Sequence, residues 1–175
     1  MRYEIYRHLK MLQLFVLCAI FSAGCVYFSH GSFTGLMTKG QNAYTRGDYA
    51  AAEGAFLETL QVAEKNWTAD QVVSVLGYLG RTYDEEGKAD QAESAFNRRI
   101  AIADSEHLDA ETRVETHLAI AIFYSKRERC DEMKRMFDDL NNSSDPEVRS
   151  AKNYSETIRL IADMSHLRCK SDQEQ

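Results

Sequence analysis

The sequence predicts an all-α fold, a solenoid of about three helical hairpins followed by a C-terminal capping helix. The 175-residue chain contains a single proline, Pro146, and nine scattered glycines. So few helix breakers favour helices over a many-turned β architecture. A set of small and apolar residues also recurs at a spacing of 40 residues, which is typical of stacked repeats. The content of 44% hydrophobic and 27% charged residues fits one globular domain with a core.

The repeat becomes visible when the sequence is shifted by 40 residues against itself. Nine positions then carry the same or a similar residue, and most of these residues are small or apolar. The aligned pairs are Leu36 with Leu76, Gly40 with Gly80, Gly47 with Gly87, Ala52 with Ala92, Glu53 with Glu93, Ala55 with Ala95, Phe56 with Phe96, Leu60 with Ile100, and Ala63 with Ala103.

Each copy of the repeat predicts two helices that pack against each other. Gly40 falls on the inner face of the first helix, where the absence of a side chain lets the second helix approach. Gly47 falls at the end of the first helix, as expected for a left-handed C-cap. Ala52 and Phe56 are four residues apart and share one face of the second helix. The pattern therefore predicts a small residue packed next to a large ring in each hairpin.

This arrangement resembles the tetratricopeptide repeat (TPR). The second copy carries the family pattern as Leu79-Gly80, Tyr83, Gly87-Lys88, Ala92 and Phe96; the first has Gly40, Tyr44, Gly47-Asp48-Tyr49, Ala52 and Phe56. A degenerate third copy follows at an offset of 41 with Ala121, Tyr124 and Phe137, but with Glu128 for the turn glycine and Met133 for the alanine. The resemblance covers residues 33–140, and the spacing of 40 implies longer helices, as in the kinesin-light-chain type of repeat.

Polar residues at the expected helix starts agree with the hairpins. Thr68-Ala69-Asp70-Gln71 has the pattern of a capping box, and Asp109 precedes the third copy. A loop then ends in Asp145 and an N1 proline. The apolar spacing that follows predicts one last helix from about Glu147 to Leu167, which would cover the exposed end of the stack.

The N-terminus has the layout of an export signal. Residues 1–10 are basic, residues 11–21 are apolar, and Ser22-Ala23-Gly24 are small. Together with Cys25 they resemble the lipobox of bacterial lipoproteins, with Ser22 at the position where that family usually has leucine. The resemblance implies that Cys25 carries acyl chains such as palmitate and that the chain, with Val26 next, is sorted to the outer membrane and faces the periplasm.

These features predict a signal peptide at 1–24, a tether at 25–32, a TPR-like domain at 33–168 and a frayed tail at 169–175. Two other outcomes remain open at this point. Cleavage after Gly24 without lipidation would release a soluble periplasmic protein. An uncleaved segment from Met11 to Phe28 would instead anchor the chain, although 18 residues are marginal for crossing a membrane.

Charge and motifs argue against nucleic-acid binding and catalysis. The whole chain has a net charge of −6, and residues 1–24 contribute +2, so the rest of the chain carries −8. A surface this acidic repels the phosphates of nucleic acids. The five histidines show no metal-ligand spacing, and no glycine-rich phosphate loop is present. The five histidines are His8, His30, His107, His117 and His166. We therefore expect no catalytic residues, no metal and no cofactor.

Four cysteines have three expected fates. Cys18 leaves with the signal peptide and Cys25 is the lipidation site, so Cys130 and Cys169 remain. In an oxidising compartment a disulfide between these two is favoured; the alternative is a pair of free, buried thiols. A bond would close a loop of 38 residues and add roughly 3–4 kcal/mol of stability.

The TPR resemblance implies a concave groove, formed by the first helices of the hairpins, that binds a peptide or a helix of a partner. Family positions place ten residues there: Gln41, Tyr44, Thr45, Tyr78, Arg81, Asp84, Glu85, Ile122, Ser125 and Lys126. This set lacks the Lys/Asn cluster by which some relatives bind a terminal carboxylate. Tyr44 and Tyr78 are equally compatible with packing between helices.

Together these features favour a membrane-anchored protein–protein interaction adaptor that supports assembly of an envelope complex, such as a pilus or a secretion machine. Two alternatives are a permanently buried structural subunit of such a complex and an accessory protein of a cell-wall or polysaccharide enzyme. The fold alone does not choose among them, because helical repeats serve many functions.

Overall fold

The computed structural model describes residues 33–66 and 68–169, and this part of the chain is all-helical with no β-strand. The predicted signal peptide, Cys25, the tether and residues 170–175 lie outside the described residues. The helices are α1 (33–45), α2 (Tyr49–Asn66), α3 (Ala69–Glu85), α4 (Ala89–Ser105), α5 (Ala110–Lys126), α6 (Cys130–Asn141), α7 (Pro146–Ser150) and α8 (Tyr154–Arg168). None of these described helices is both long and apolar enough to cross a membrane.

Helices adjacent in sequence pack together through short turns. From α2 to α6, each helix contacts the next, and α8 contacts both α5 and α6. Residues 46–48, 86–88 and 127–129 connect α1 to α2, α3 to α4 and α5 to α6. The middle residue of each turn has positive φ: 75° at Gly47, 74° at Gly87 and 55° at Glu128. The third hairpin therefore keeps the left-handed turn although its glycine has been replaced.

The predicted packing of small residues against rings is confirmed in the first two hairpins. A Cβ added to Gly40 would lie 2.5 Å from Phe56 Cε1, and one added to Gly80 would lie 2.7 Å from Phe96 Cε1. Ala52 and Ala92 are fully buried beside these rings. In the third hairpin the corresponding positions, Ala121 and Met133, are also fully buried, so a larger residue replaces the small one there.

The polar helix starts have the predicted hydrogen bonds. The Thr68 N–H donates to Gln71 Oε1 at 3.1 Å, and the Thr112 N–H donates to Asp109 Oδ1 at 2.9 Å. Asp145 Oδ1 accepts the Glu147 N–H at 2.9 Å, with Pro146 in the first turn of α7. Each bond satisfies an N–H group that has no partner inside its helix.

The prediction of one continuous last helix is wrong. The backbone is extended at Ala151, with φ −57° and ψ 137°, so the segment divides into α7 and α8. Asn153 holds this break in place, because its Nδ2 donates to the Glu111 carbonyl at the start of α5 at 3.1 Å. The change of direction lets α7 pack on α5 while α8 packs on both α5 and α6.

A disulfide joins Cys130 and Cys169, with the sulfurs 2.02 Å and the Cα atoms 5.7 Å apart. Cys130 is the first residue of α6, and Cys169 follows α8 directly. Because the break shortens the last helix to 15 residues, its C-terminus lies beside the start of α6. Cys169, assigned from the sequence to the frayed tail, thus belongs to the folded domain.

Candidate functional site

The main candidate site is a cavity of about 430 Å³ that is lined by residues of all three hairpins. Side chains on α3 and α5 form its two walls at helical spacing, α1 contributes one end, and α4 contributes the floor. The lining residues are Tyr44, Ser74, Tyr78, Arg81, Asp84, Glu85, Phe96, Arg99, Glu115, Leu118, Ala119, Ile122, Phe123 and Lys126.

Most of the groove predicted from the sequence lies in this cavity. Seven of the ten predicted residues line it: Tyr44, Tyr78, Arg81, Asp84, Glu85, Ile122 and Lys126. Ser125 does not, because it is only 3% exposed and the C-terminal end of α8 lies over it, where Arg168 Nη1 is 3.5 Å from its carbonyl. Thr45 and Gln41 also lie outside the lining, and the Thr45 hydroxyl donates to the Gln41 carbonyl at 2.8 Å.

One end of the cavity holds a cluster of paired charges. Lys126 Nζ lies 2.9 Å from Asp84 Oδ2 and 3.5 Å from Glu85 Oε1. Arg127 Nη1 lies 2.5 Å from Asp84 Oδ1. The hydrogen bond to Asp84 raises the pKa of Lys126, since it favours the charged amine. These pairs connect α3 to α5 and leave this end of the cavity close to neutral.

The two tyrosines pack against neighbouring rings and also line the cavity. The Tyr78 ring stacks on Phe56 with centroids 5.2 Å apart, so one face of it packs between hairpins. The Arg81 guanidinium lies 4.7 Å from the Tyr78 centroid, on the cavity side, as in a cation–π contact. Tyr44 makes an edge contact with Tyr49 at 5.5 Å, and its partial burial raises the pKa of its hydroxyl.

Arg99 is a cavity residue that sequence reasoning missed. It belongs to α4, is only 9% exposed, and lies against Gly77, whose added Cβ would be 3.1 Å from Arg99 Cζ. Its Nη2 is 3.9 Å from Glu115 Oε2, beyond hydrogen-bonding distance. Its buried Nε has no hydrogen-bond partner among the described residues. Burial lowers the pKa of this guanidinium, and the nearby Arg81 lowers it further.

The repeat itself contains a signal for Arg99. The equivalent positions in the other hairpins are Thr59 and Leu140, and both are buried. A charged residue at a position that is otherwise uncharged and internal marks a local departure from the repeat. Gly77 is the matching departure on α3, because Met37 and Leu118 occupy its equivalents.

A smaller cavity of about 240 Å³ lies beside His117, with Arg113 among its lining residues. The His117 Nδ1–H donates to the Arg113 carbonyl at 2.9 Å. Arg113 Nη1 lies 2.6 Å from Asp145 and its Nε 3.4 Å from Asp104, so these charges connect α4, α5 and the start of α7. In the described part of the chain, no three histidine, cysteine, aspartate or glutamate residues are arranged to hold a metal ion.

No protein-family model matches the chain, and no curated protein matches it. The larger of the two cavities is the candidate functional site. That cavity presents an exposed apolar residue, Ile122, next to two tyrosines and several charges.

Proposed function

We propose that this chain is a membrane-anchored adaptor that binds a segment of a partner protein in the cavity and supports assembly of an envelope complex such as a pilus or a secretion machine. The proposal treats the hairpins as a TPR-like solenoid. Its support is the recurring contact of Gly40 with Phe56 and Gly80 with Phe96, together with the three left-handed turns at equivalent positions.

The single observation that carries the binding role is the composition of the cavity walls. The walls come from α3 and α5, the first helices of two successive hairpins, and α1 supplies Tyr44. In TPR-like proteins these first helices form the ligand-binding face. Ile122 is 41% exposed on this wall, and an exposed apolar side chain on the wall of a groove is a typical anchor for a partner.

The anchoring role rests on the sequence Ser22-Ala23-Gly24-Cys25. Two or three acyl chains on Cys25 would hold the protein durably, since each buried methylene contributes about 0.8 kcal/mol. The stretch 25–32 has eight residues, which span at most about 29 Å when fully extended. The adaptor would then hold its partner close to the membrane surface.

Affinity isolation from crosslinked membranes tests this proposal. The full chain would serve as bait in its wild-type form and as Ile122→Asp, which places a charge on the cavity wall. Leu57→Asp is the matched control, because Leu57 on α2 is similarly exposed at 43% and does not line the cavity. We expect an envelope protein with the wild type and Leu57→Asp but not with Ile122→Asp. Equal recovery by all three baits, or recovery of no envelope protein, would contradict the proposal.

The same preparation tests the anchor. We expect Cys25→Ser to move the protein from the membrane fraction to the soluble periplasmic fraction, or to leave it as an uncleaved precursor. Unchanged fractionation with normal processing would show that no lipid on Cys25 is needed.

A further inference from the structure

Arg99 has few compensating partners among the described residues. A buried charge costs several kcal/mol unless it is paired and hydrogen-bonded. The nearest carboxylate, Glu115, has 69% of its side chain exposed and stands 3.9 Å away, so it compensates little. The Nε group is buried without a partner in the described part of the molecule. A ligand would meet the guanidinium through its Nη groups, and Nη2, which stands beyond hydrogen-bonding distance of Glu115, retains unused hydrogen-bonding capacity at the floor of the cavity.

A second arginine meets Arg99 at the same glycine. Arg81 Nε donates to the Gly77 carbonyl at 3.1 Å, while the Arg99 guanidinium lies against the Cα of Gly77. A side chain at Gly77 would crowd Arg99. Both arginines line the cavity, and the positive charge of Arg81 adds to the effect of burial in lowering the pKa of Arg99. An anion placed between the two arginines would relieve the repulsion between their charges and accept hydrogen bonds from both.

The surrounding charges favour a carboxylate over a phosphate. The lining holds three cations, Arg81, Arg99 and Lys126, and three acids, Asp84, Glu85 and Glu115. Lys126 is already paired with two of the acids, so only the two arginines are available. Two guanidinium groups, one of which already has the Glu115 carboxylate 3.9 Å away, suit a single negative charge, whereas a phosphate group carries close to two at neutral pH.

We propose that Arg99 and Arg81 form a subsite that binds the carboxylate of an Asp or Glu side chain in the partner's segment. This inference rests on the proposed function and specifies the partner's chemistry. Ile122 and Leu118 line the neighbouring part of the cavity, so the segment carries an apolar residue close to its acidic one. The subsite differs from a Lys/Asn cluster for a terminal carboxylate, because it serves an acidic residue within a chain.

Selection from a peptide library tests this subsite. The probe is a random 12-residue library displayed on phage as an N-terminal fusion, so that no displayed peptide has a free carboxyl terminus. The target is the full chain in detergent, as wild type, Arg99→Met and Arg98→Met. Arg98 is the matched control, because it is the adjacent residue, is half exposed, pairs with Glu64 at 2.5 Å and does not line the cavity.

We expect wild type and Arg98→Met to enrich peptides with Asp or Glu at one fixed position beside an apolar residue, and Arg99→Met to lose that preference. A synthetic peptide from the wild-type selection should bind Arg99→Met about 10- to 100-fold more weakly, as expected when a charged hydrogen bond is lost. Arg99→Lys should recover only part of the affinity, since an amine does not form the two-point contact of a guanidinium. Arg99→Met should unfold at the same or a higher temperature than wild type, so that weaker binding cannot be attributed to misfolding.

The possible failures are distinguishable. Peptides that bind in the cavity without an acidic preference, or equally well to Arg99→Met, would overturn the carboxylate subsite and leave the adaptor function standing. Enrichment of no peptide by any target would overturn the peptide-binding function itself, and the subsite with it. Stronger binding of inorganic phosphate than of the acidic peptide would show that the arginines serve a phosphate ligand instead.

Discussion

Replacement of Gly80 by alanine tests the packing on which the hairpins depend. Alanine favours helix formation over glycine by about 1 kcal/mol. Against this gain, the new Cβ would lie 2.7, 2.8 and 2.9 Å from three atoms of the Phe96 ring, well inside the optimal carbon–carbon separation of about 3.5–4.0 Å. Overpacking of a core costs about 1–3 kcal/mol. Because Phe96 is buried and also contacts Phe123 at 5.6 Å, we expect the upper part of that range and a net destabilisation of about 2 kcal/mol.

Gly54→Ala is the matched control for this experiment. Gly54 lies within α2, and an added Cβ there would meet nothing within 4 Å, so only the helix-propensity term applies. We expect Gly54→Ala to stabilise by about 1 kcal/mol. In thermal unfolding followed by circular dichroism, Gly80→Ala should lower Tm by about 4–8 °C and Gly54→Ala should raise it by about 2–4 °C. Equal shifts in the same direction would refute the argument that Gly80 is required by the close approach of Phe96.

Three further predictions concern stability. Replacement of both Cys130 and Cys169 by serine should lower the free energy of unfolding by about 4 kcal/mol, because the disulfide closes a loop of roughly forty residues. Urea titration measures this loss, and adding a reductant to the double variant should cause no further loss. A loss below 1 kcal/mol would argue against the cross-link. Glu128→Gly should stabilise by about 1 kcal/mol, because Glu128 has φ 55° and only glycine adopts this conformation without strain; a lower Tm would contradict this. The hydrogen bond from Arg129 lowers the pKa of Glu93. The stabilisation that this ion pair gives the folded state is therefore complete above the pKa of an unfolded glutamate, about 4.3, and is lost as the pH falls through the lower pKa of Glu93 in the folded state. Glu93→Gln should therefore show a smaller loss of stability on acidification than wild type, and an identical acid profile would exclude this pair as a source of the loss.

The hairpins were predictable because their packing is encoded by residues close in sequence. Gly47 forms the turn between α1 and α2, and Phe56 packs on Gly40, which lies only 16 positions earlier. Because each hairpin is held by such short-range contacts, the residue types that make them recur from copy to copy and can be recognised in the sequence. The third hairpin shows the limit of this encoding. Glu128 keeps the left-handed turn without glycine, because the packing of α5 on α6 enforces it.

The break in the last helix was not predictable from local sequence. No proline or glycine lies between Glu147 and Leu167, and the apolar spacing continues through Ala151. The break is fixed by a tertiary contact, the bond from Asn153 to the Glu111 carbonyl, between residues that are 42 positions apart. The burial of Ser125 has a similar origin, since it depends on where the break directs α8.

Part of the candidate site was predictable for the same reason as the hairpins. Tyr78, Arg81 and Glu85 follow each other at helical spacing, so the side of α3 that they share could be assigned from the sequence. Arg99 could not be assigned in this way, because it comes from the second helix of its hairpin and reaches the cavity only through the space that Gly77 leaves on α3.

Site-specific photocrosslinking in cells tests the central claim most directly. A photoreactive phenylalanine would replace Ile122 on the cavity wall or, in the control, Leu160 on α8, which is similarly exposed at 38% and does not line the cavity. We predict that position 122 forms a covalent product with one envelope protein and that Arg99→Met in the same chain abolishes it, while position 160 forms none. A product from position 122 that is indifferent to Arg99 would contradict the carboxylate subsite alone, whereas a product of equal yield from position 160 would contradict the claim that the cavity is the binding site.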